Sequence, residues 1–318
     1  MDQSKKPSEN LESSQFDIVI VGGGPIGAST AYFLSQKSDK KVLLITQDPV
    51  PDNHEATYLF AGGCVCAYKP DDSKKADVIK PTVDFLNQRL EEGLDLAAIR
   101  THYFYIDKGL MIPSLNIAGA KLINYLLEEA SKNGVKIQKE TKLESLEKKD
   151  GGYELTTSKG KFSAQKVLLA IGPSVHKFLP NAPVKFEKRQ IFVLDKVVDD
   201  TNKDLPHTIV MLKKGGVYIF IKKVGDELKM MLSQERMFDY NDEWEAEDRY
   251  DEILDMGLAE AMPFLKDVKV EKILWGFDAE NKIPEYYTED DKLFAVNCGS
   301  AVRSCVYIGQ NTADKLLS

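Results

Sequence analysis

The sequence predicts an α/β fold in two parts. One is a parallel sheet covered by helices on both faces. The other is a region with a mainly antiparallel sheet and helices. Three observations predict this. A run of apolar β-formers, "DIVIV" at Asp17–Val21, leads through three glycines and a proline into a helical pattern. A second apolar run, "KKVLLIT" at Lys40–Thr46, closes a strand–helix–strand unit of about 30 residues, which implies parallel strands. Residues 183–238 instead alternate, as in "GGVYIFIKK" and "LKMMLSQ", with the period of antiparallel strands.

Taken in order, residues 1–15 ("MDQSKKPSENLESSQ") are polar and predict a flexible tail. The first helix is expected over Pro25–Gln36, with Ile26, Ala31, Phe33 and Leu34 on its packing side. Near-continuous apolar strands fit a sheet buried on both faces. Leu115, Ala118, Leu122, Leu126 and Ala130 recur at helical spacing and predict a helix over Ser114–Asn133, with Ser114 as N-cap and Gly134 at C′. Val135–Glu140 resumes as a strand. Turn signals at Asp150-Gly151-Gly152 and Lys159-Gly160 mark a small antiparallel meander that ends in the buried strand "KVLLAIG". Glu245–Met262 reads as a helix with an acidic start, which suits its dipole, and with Tyr250, Leu254, Leu258 and Ala261 as its inner stripe. "VEKILWGFD" is a strand. "KLFAVNCGSAVRSC" then leads into a helix from about Tyr307. No internal repeat is present.

A length of 318 residues suits two domains better than one. Lys and Arg number 42 against 50 Asp and Glu, so the net charge is −8, which disfavours nucleic acid or an anionic membrane as the main partner. Residues 1–15 lack the apolar core of a secretory signal, and no run reaches the ~18 apolar residues of a membrane span. The expectation is a soluble, cytoplasmic protein, with homo-oligomerisation left open. The cysteines (Cys64, Cys66, Cys298, Cys305) and histidines (His54, His102, His176, His207) have no zinc-site spacing, so no metal is expected.

Gly22, Gly24 and Gly27 match G-x-G-x-x-G, with Pro25 and Ile26 opening the helix. The first glycine allows the tight turn. The second admits a pyrophosphate close to the backbone, and the third lets helix and strand touch. The helix N-terminus then offers free N–H groups and a positive dipole end to the phosphates. The motif alone is weak, since any strand–helix turn can be glycine-rich. The flanking strands make it a dinucleotide site. An acidic residue commonly closes the second strand and binds a ribose. Here Thr46, Gln47 and Asp48 stand there, and the Thr46 hydroxyl or Gln47 amide is the candidate replacement.

Four further segments carry a family resemblance: "EATYLFAGGCVCAYKP" (55–70), "KVLLAIGPSVHKFL", "KRQIFVLD" (188–195) and "KLFAVNCGSAVRSCVYIGQNTADKLL". In this order, across nearly the whole chain, they resemble the D-amino-acid oxidase, glycine oxidase and sarcosine oxidase superfamily. The resemblance implies FAD as cofactor. It implies an FAD-binding domain from residues 16–69, 110–182 and 285–318, and a substrate domain from 70–109 and 183–284. It places Ala61, Gly62, Gly63 and Cys64 beside the flavin ring, and adds Gly172, Gly299, Ser300, Val302 and Arg303 to the cofactor contacts. The implied reaction oxidises the C–N bond of an amine or amino acid by hydride transfer to flavin N5, with oxygen or another acceptor reoxidising the flavin.

The sequence departs from that pattern in three places. Asp278 in "LWGFDAENKIP" stands where many members carry a carboxylate-clamping arginine. An acid there cannot bind a carboxylate; it is either a site for a cationic group or a solvated loop acid. The usually glycine-rich terminal loop reads "GSAVRS", where Arg303 is a candidate cation near flavin or substrate. "NKIPEYYTEDDK" has no cysteine to attach the flavin, which implies noncovalent FAD. Tyr103, Tyr105, Tyr218 and Lys222 are candidate pocket residues, weighed against a simple role as sheet core. These departures keep two alternatives open: the same fold rebuilt for another dehydrogenation, or a non-catalytic FAD-binding module.

Overall fold

The computed structural model describes residues 15–47, 64–66, 73–105, 109–197, 208–212, 217–224, 227–234, 238–239, 250–255, 259–281 and 283–318. In chain order the strands are Gln15–Val21 (β1), Val42–Ile45 (β2), Cys64–Cys66 (β3), Ile99–Tyr105 (β4), Leu110–Asn116 (β5), Lys136–Gln138 (β6), Leu143–Lys149 (β7), Gly152–Thr157 (β8), Gly160–Leu169 (β9), Phe186–Val197 (β10), Thr208–Leu212 (β11), Val217–Val224 (β12), Glu227–Gln234 (β13), Phe238–Asp239 (β14), Val270–Ala279 (β15), Glu285–Glu289 (β16) and Leu293–Asn297 (β17). The long helices are Pro25–Lys37 (α1), Ser73–Glu91 (α2), Gly119–Lys132 (α3) and Ala301–Leu317 (α4).

The first sheet runs β16-β17-β9-β1-β2-β6, and from β17 to β6 its neighbours are parallel. Side chains alternate across a strand, so each central strand feeds two cores. Ile18, Ile20, Val42, Leu44, Leu168, Phe294 and Val296 pack under α1, α3 and α4. Val19, Val21, Leu43, Ile45, Val167, Leu169, Leu293 and Ala295 face the β7–β9 meander and the 3₁₀ turn Gly172–Lys177. Each such side chain contributes about 1.5–3 kcal/mol by leaving water. This is the parallel, two-faced sheet that the apolar runs predict.

Helices α1 and α4 approach until backbones nearly touch. A Cβ on Gly309 would stand 2.7 Å from Ser29 Cβ. The Ser29 hydroxyl donates to Pro25 O at 2.6 Å, and that of Thr30 to Ile26 O at 2.8 Å. Both polar groups are thereby satisfied inside a core that excludes water. Helix α2 packs on the same side through Leu86, and its Thr82 hydroxyl accepts the Val306 N–H.

The second sheet runs β14-β10-β13-β12-β11-β4-β5-β3, with β15 on the other edge of β10. Its pairs are antiparallel except β11 with β4. One face, carrying Phe192, Leu194, Ile219, Met230 and Leu232, is covered by Tyr250, Ile253, Leu254 and Leu265.

Three sequence-based expectations are corrected. Ser114 is no N-cap: it lies in β5, and α3 starts after Ala118. Ser114, Leu115, Asn116 and Ile117 are all buried, and this two-sided strand imitates the helical stripe that follows it. Gly134 does adopt the expected positive φ, 94°. Of the expected Glu245–Met262 helix the described residues show Tyr250–Ile253, continued as a π-helical turn through Leu254 and Asp255, and Ala259–Ala261; residues 245–249 and 256–258 lie outside the described residues, and Met262 is not helical. The last helix begins at Ala301, not Tyr307, because Val302, Cys305 and Val306 already pack into the core.

Candidate functional site

The parallel strands β17, β9, β1, β2 and β6 end on one edge of the first sheet, the edge where open α/β sheets hold ligands. Gly22 leaves β1 at φ 108, a conformation costly for any other residue. A Cβ there would lie 2.3 Å from Ala170 O, at the end of β9. A Cβ on Gly27 would lie 1.9 Å from Gly22 O. The turn therefore needs both glycines. Gly24 is the N-cap of α1, no side chain caps it, and Pro25 follows. Among the described residues no side chain takes the first N–H groups of α1, the arrangement that suits an anion. Gly172, at φ 55, opens the 3₁₀ turn that follows β9, close to Gly22. Gly22, Gly24, Pro25, Ile26 and Gly27 therefore meet in one corner, with Gly172 beside it.

Thr46 ends β2. Its N–H donates to Gln138 O at 3.0 Å and its own carbonyl accepts from Thr141 N at 2.7 Å. Gln47 is exposed beside it. Sequence reasoning passed over Gln138. It ends β6 next to Thr46, and its Oε1 is buried without a hydrogen-bond partner among the described residues. An orphaned acceptor at the place of the missing carboxylate suits a ribose hydroxyl.

The turn from β17 to α4 is built differently. Gly299 N donates to Asn281 O at 2.5 Å, and Ser300, left-handed at φ 62, donates its N–H to Asp278 Oδ1 at 2.8 Å. Asp278 thus sits at the N-terminus of α4. A carboxylate accepting that N–H is stabilised there by the helix dipole. Arg303 N donates to Ser300 O at 2.9 Å, and Val302 is buried. The Cys298 thiol is buried and donates to Gly299 O at 3.2 Å.

Strand register places the remaining candidates. Tyr105, Met211 and Tyr218 form one rung across β4, β11 and β12. Tyr103 and Lys222 lie an even number of residues from members of that rung, so they share its face. Following β12–β13–β10–β15 through Tyr218↔Ser233, Ser233↔Ile191 and Ile191↔Leu274 puts Asp278 on the same face. Through β5 and β3 it also takes in Asn116 and Cys64. This is the face opposite the one covered by Tyr250 and Leu265. Ala61, Gly62 and Gly63 lie outside the described residues. Among the described residues no cluster could hold a metal, and no helix is long and apolar enough to cross a membrane.

A family model described as FAD dependent oxidoreductase matches residues 17–109 and 104–314. A stretch of 61 residues is 41% identical to FAD-dependent oxidoreductase domain-containing protein 1 of Xenopus laevis; it takes in 18% of this chain and only 12% of that protein. Among solved structures, L-proline dehydrogenase from P. horikoshii superposes with TM-score 0.77 at 14% identity, over 95% of this chain and 93% of that one. Glycine oxidase from Bacillus cereus ATCC 14579 gives TM-score 0.71 at 17% identity, over 95% of each chain. FAD-bound L-alpha-glycerophosphate oxidase from Mycoplasma pneumoniae gives 0.75 at 15%, over 96% and 95%. At these identities the superpositions establish the fold. The glycine corner, with two positions that a Cβ would block and an uncapped α1, fits the pyrophosphate of FAD.

Proposed function

As the chain belongs to the FAD-dependent oxidoreductase family, we propose that it oxidises the C–N bond of a small amine or amino acid, with FAD held noncovalently. The observation that carries this reading is the shared face of the second sheet. Tyr103, Tyr105, Tyr218, Lys222 and Asp278 stand on it, and Asp278 ties it to the β17–α4 turn at the nucleotide edge. The proposed division into an FAD part (16–69, 110–182, 285–318) and a substrate part (70–109, 183–284) follows the two sheets except at β3 and β5, which pair within the second sheet, and at α2, which packs on the first.

Bound FAD supplies a two-electron acceptor. The chain supplies positions. Gly22, Gly24, Pro25, Ile26 and Gly27 receive the pyrophosphate on the α1 N-terminus. Thr46 and Gln138 offer a hydroxyl and an amide acceptor to the adenosine ribose. Arg303 stands in the first turn of α4, whose Ser300 N–H is already given to Asp278, so the Arg303 side chain is the group there that could favour developing negative charge. Lys222 and Tyr218 orient the substrate from the sheet. Reactions of this kind demand placement more than proton transfer, so a rigid sheet suits them. Asp278 is engaged by Ser300, which supports a structural rather than substrate-binding use of its carboxylate.

The purified protein is expected to be yellow, to release FAD on acid precipitation, and to bleach anaerobically with at least one member of an amine and amino-acid panel. Peroxide release on admitting air separates oxygen from another acceptor. Flavin that stays oxidised across the panel would sink the C–N reading and favour another dehydrogenation or a non-catalytic role.

A further inference from the structure

Strand β3 belongs to one sheet and touches the helices of the other. It pairs with β5 through Cys64↔Asn116, Val65↔Leu115 and Cys66↔Ser114, which makes it part of the second sheet. It also lies against α2 and α4, which pack on the first sheet. Among the described residues it pairs with β5 alone, and its other edge is open.

The strand reads Cys64-Val65-Cys66. Alternation puts the two cysteines on one face of the sheet and Val65 on the other. Asn116 and Ser114, their register partners on that face, are both buried. Two residues of strand separate Cα atoms by about 6.4–6.8 Å. Disulfides span about 4.4–6.8 Å and favour ~5.5–6 Å. A bridge between Cys64 and Cys66 is therefore within reach, but closing it shortens the strand. Val65 must then leave the extended conformation and its place opposite Leu115, a core residue. So small a ring removes little entropy from the unfolded chain, so the bridge gives no general stability. Strained bridges have the more oxidising potentials, and they are the ones that open and close readily.

We propose that Cys64 and Cys66 form a reversible thiol–disulfide switch, closed by a small disulfide oxidant of the glutathione class, that releases β3 from β5. The thiolate of one cysteine attacks the S–S bond of the oxidant, forming a mixed disulfide and expelling one thiol. The second cysteine attacks the protein sulfur of that mixed disulfide and expels the other. The pair loses two electrons and two protons, and the oxidant gains both and leaves as two thiols. The bridge itself is independent of what the protein oxidises. Its effect on the cofactor rests on the reading that places Cys64 beside the flavin.

The test uses full-length, FAD-loaded protein equilibrated with mixtures of oxidised and reduced glutathione. Remaining thiols are alkylated with iodoacetamide and the tryptic peptides are weighed; Cys298 and Cys305, both buried, fall on peptides separate from that of Cys64 and Cys66. The Cys64–Cys66 peptide is expected to lack two hydrogens and to take up no iodoacetamide, and dithiothreitol should restore both thiols. In the bridged protein amide exchange across β5, Leu110–Asn116, should speed up by about 10-fold or more, and flavin should dissociate faster. Cys64→Ser and Cys66→Ser should show neither change. Cysteines that stay alkylated at every glutathione ratio, or that each take up glutathione without bridging, overturn the proposal. So does a bridge that leaves exchange across β5 unchanged. A bridge that speeds exchange without altering flavin release keeps the switch and overturns the placement of Cys64 beside the flavin. If neither serine variant folds, wild type with and without dithiothreitol decides the outcome.

Discussion

Two strand-to-helix turns meet the same edge of the parallel sheet, and they are finished in opposite ways. Where β1 enters α1, the chain uses Gly22, Gly24 and Gly27, and among the described residues no side chain caps the helix. Where β17 enters α4, Asp278 accepts the Ser300 N–H and Asn281 accepts that of Gly299. The same secondary structure thus yields one helix N-terminus left open for an anion and one closed by the protein's own carboxylate. What distinguishes a binding corner from a structural one is which N–H groups the fold has already used.

The largest effect is expected from breaking the open corner. Gly27→Ala places a methyl 1.9 Å from Gly22 O, so the turn must move. Overpacking of this kind costs about 1–3 kcal/mol of stability. The flavin Kd, read by fluorescence quenching, should rise by about 100-fold, equivalent to ~2.7 kcal/mol. Retention of tight flavin binding would mean that α1 is not the phosphate site.

The closed corner should respond less, and in a graded way. Asp278→Ala removes the cap and should destabilise by about 0.5–2 kcal/mol, the range for N-cap truncations. Asp278→Asn keeps an acceptor and should lose less. Denaturant midpoints of the two variants measure the difference. Equal losses would show that the charge, and not the hydrogen bond, closes the turn.

The effect that is absent at neutral pH lies beneath the closed corner. Burial pushes the Cys305 thiol up from 9.0 to about 12. The folded value is raised, so the stability tied to the neutral thiol is complete below pH 9 and declines as pH rises toward 12. Between pH 9 and 11 wild-type stability should fall more steeply than that of Cys305→Val. Native protein at pH 8 should leave Cys305 unmodified by a thiol reagent. Parallel curves for the two proteins would remove the thiol from the account.

The open corner is readable in sequence because its chemistry is local. Glycine spacing, an apolar strand and a proline at the helix start all lie within residues 16–35. The closed corner is not. Asp278 is visible as a departure from the family's arginine, but its partner Ser300 is 22 residues away and meets it only when β15 and β17 are in place. Asn116 was hidden for another reason. Its segment reads as the start of a helix, and a polar residue at a helix start is unremarkable. Only as the buried end of a strand, donating to Ile221 O, does its side chain acquire meaning. Gln138 differs: its segment does read as a strand, and its buried oxygen acquires meaning only when β6 pairs with β2 beside Thr46. The strand that carries Tyr218 and Lys222 is legible because its alternation is local to residues 217–224.

The packing of α4 on α1 also sets an order of events in synthesis. Lys37 pairs with Asp314, 277 residues later, and Gly309 nests on Ser29. Until residues 293–317 leave the ribosome, the apolar side of α1 lacks its cover and β9 lacks the neighbour β17. The first corner to be translated is thus among the last to become rigid. Contacts this distant in sequence slow folding and prolong exposure of apolar surface. A chaperone that shields the α1 stripe during that interval would act earlier than the cofactor can.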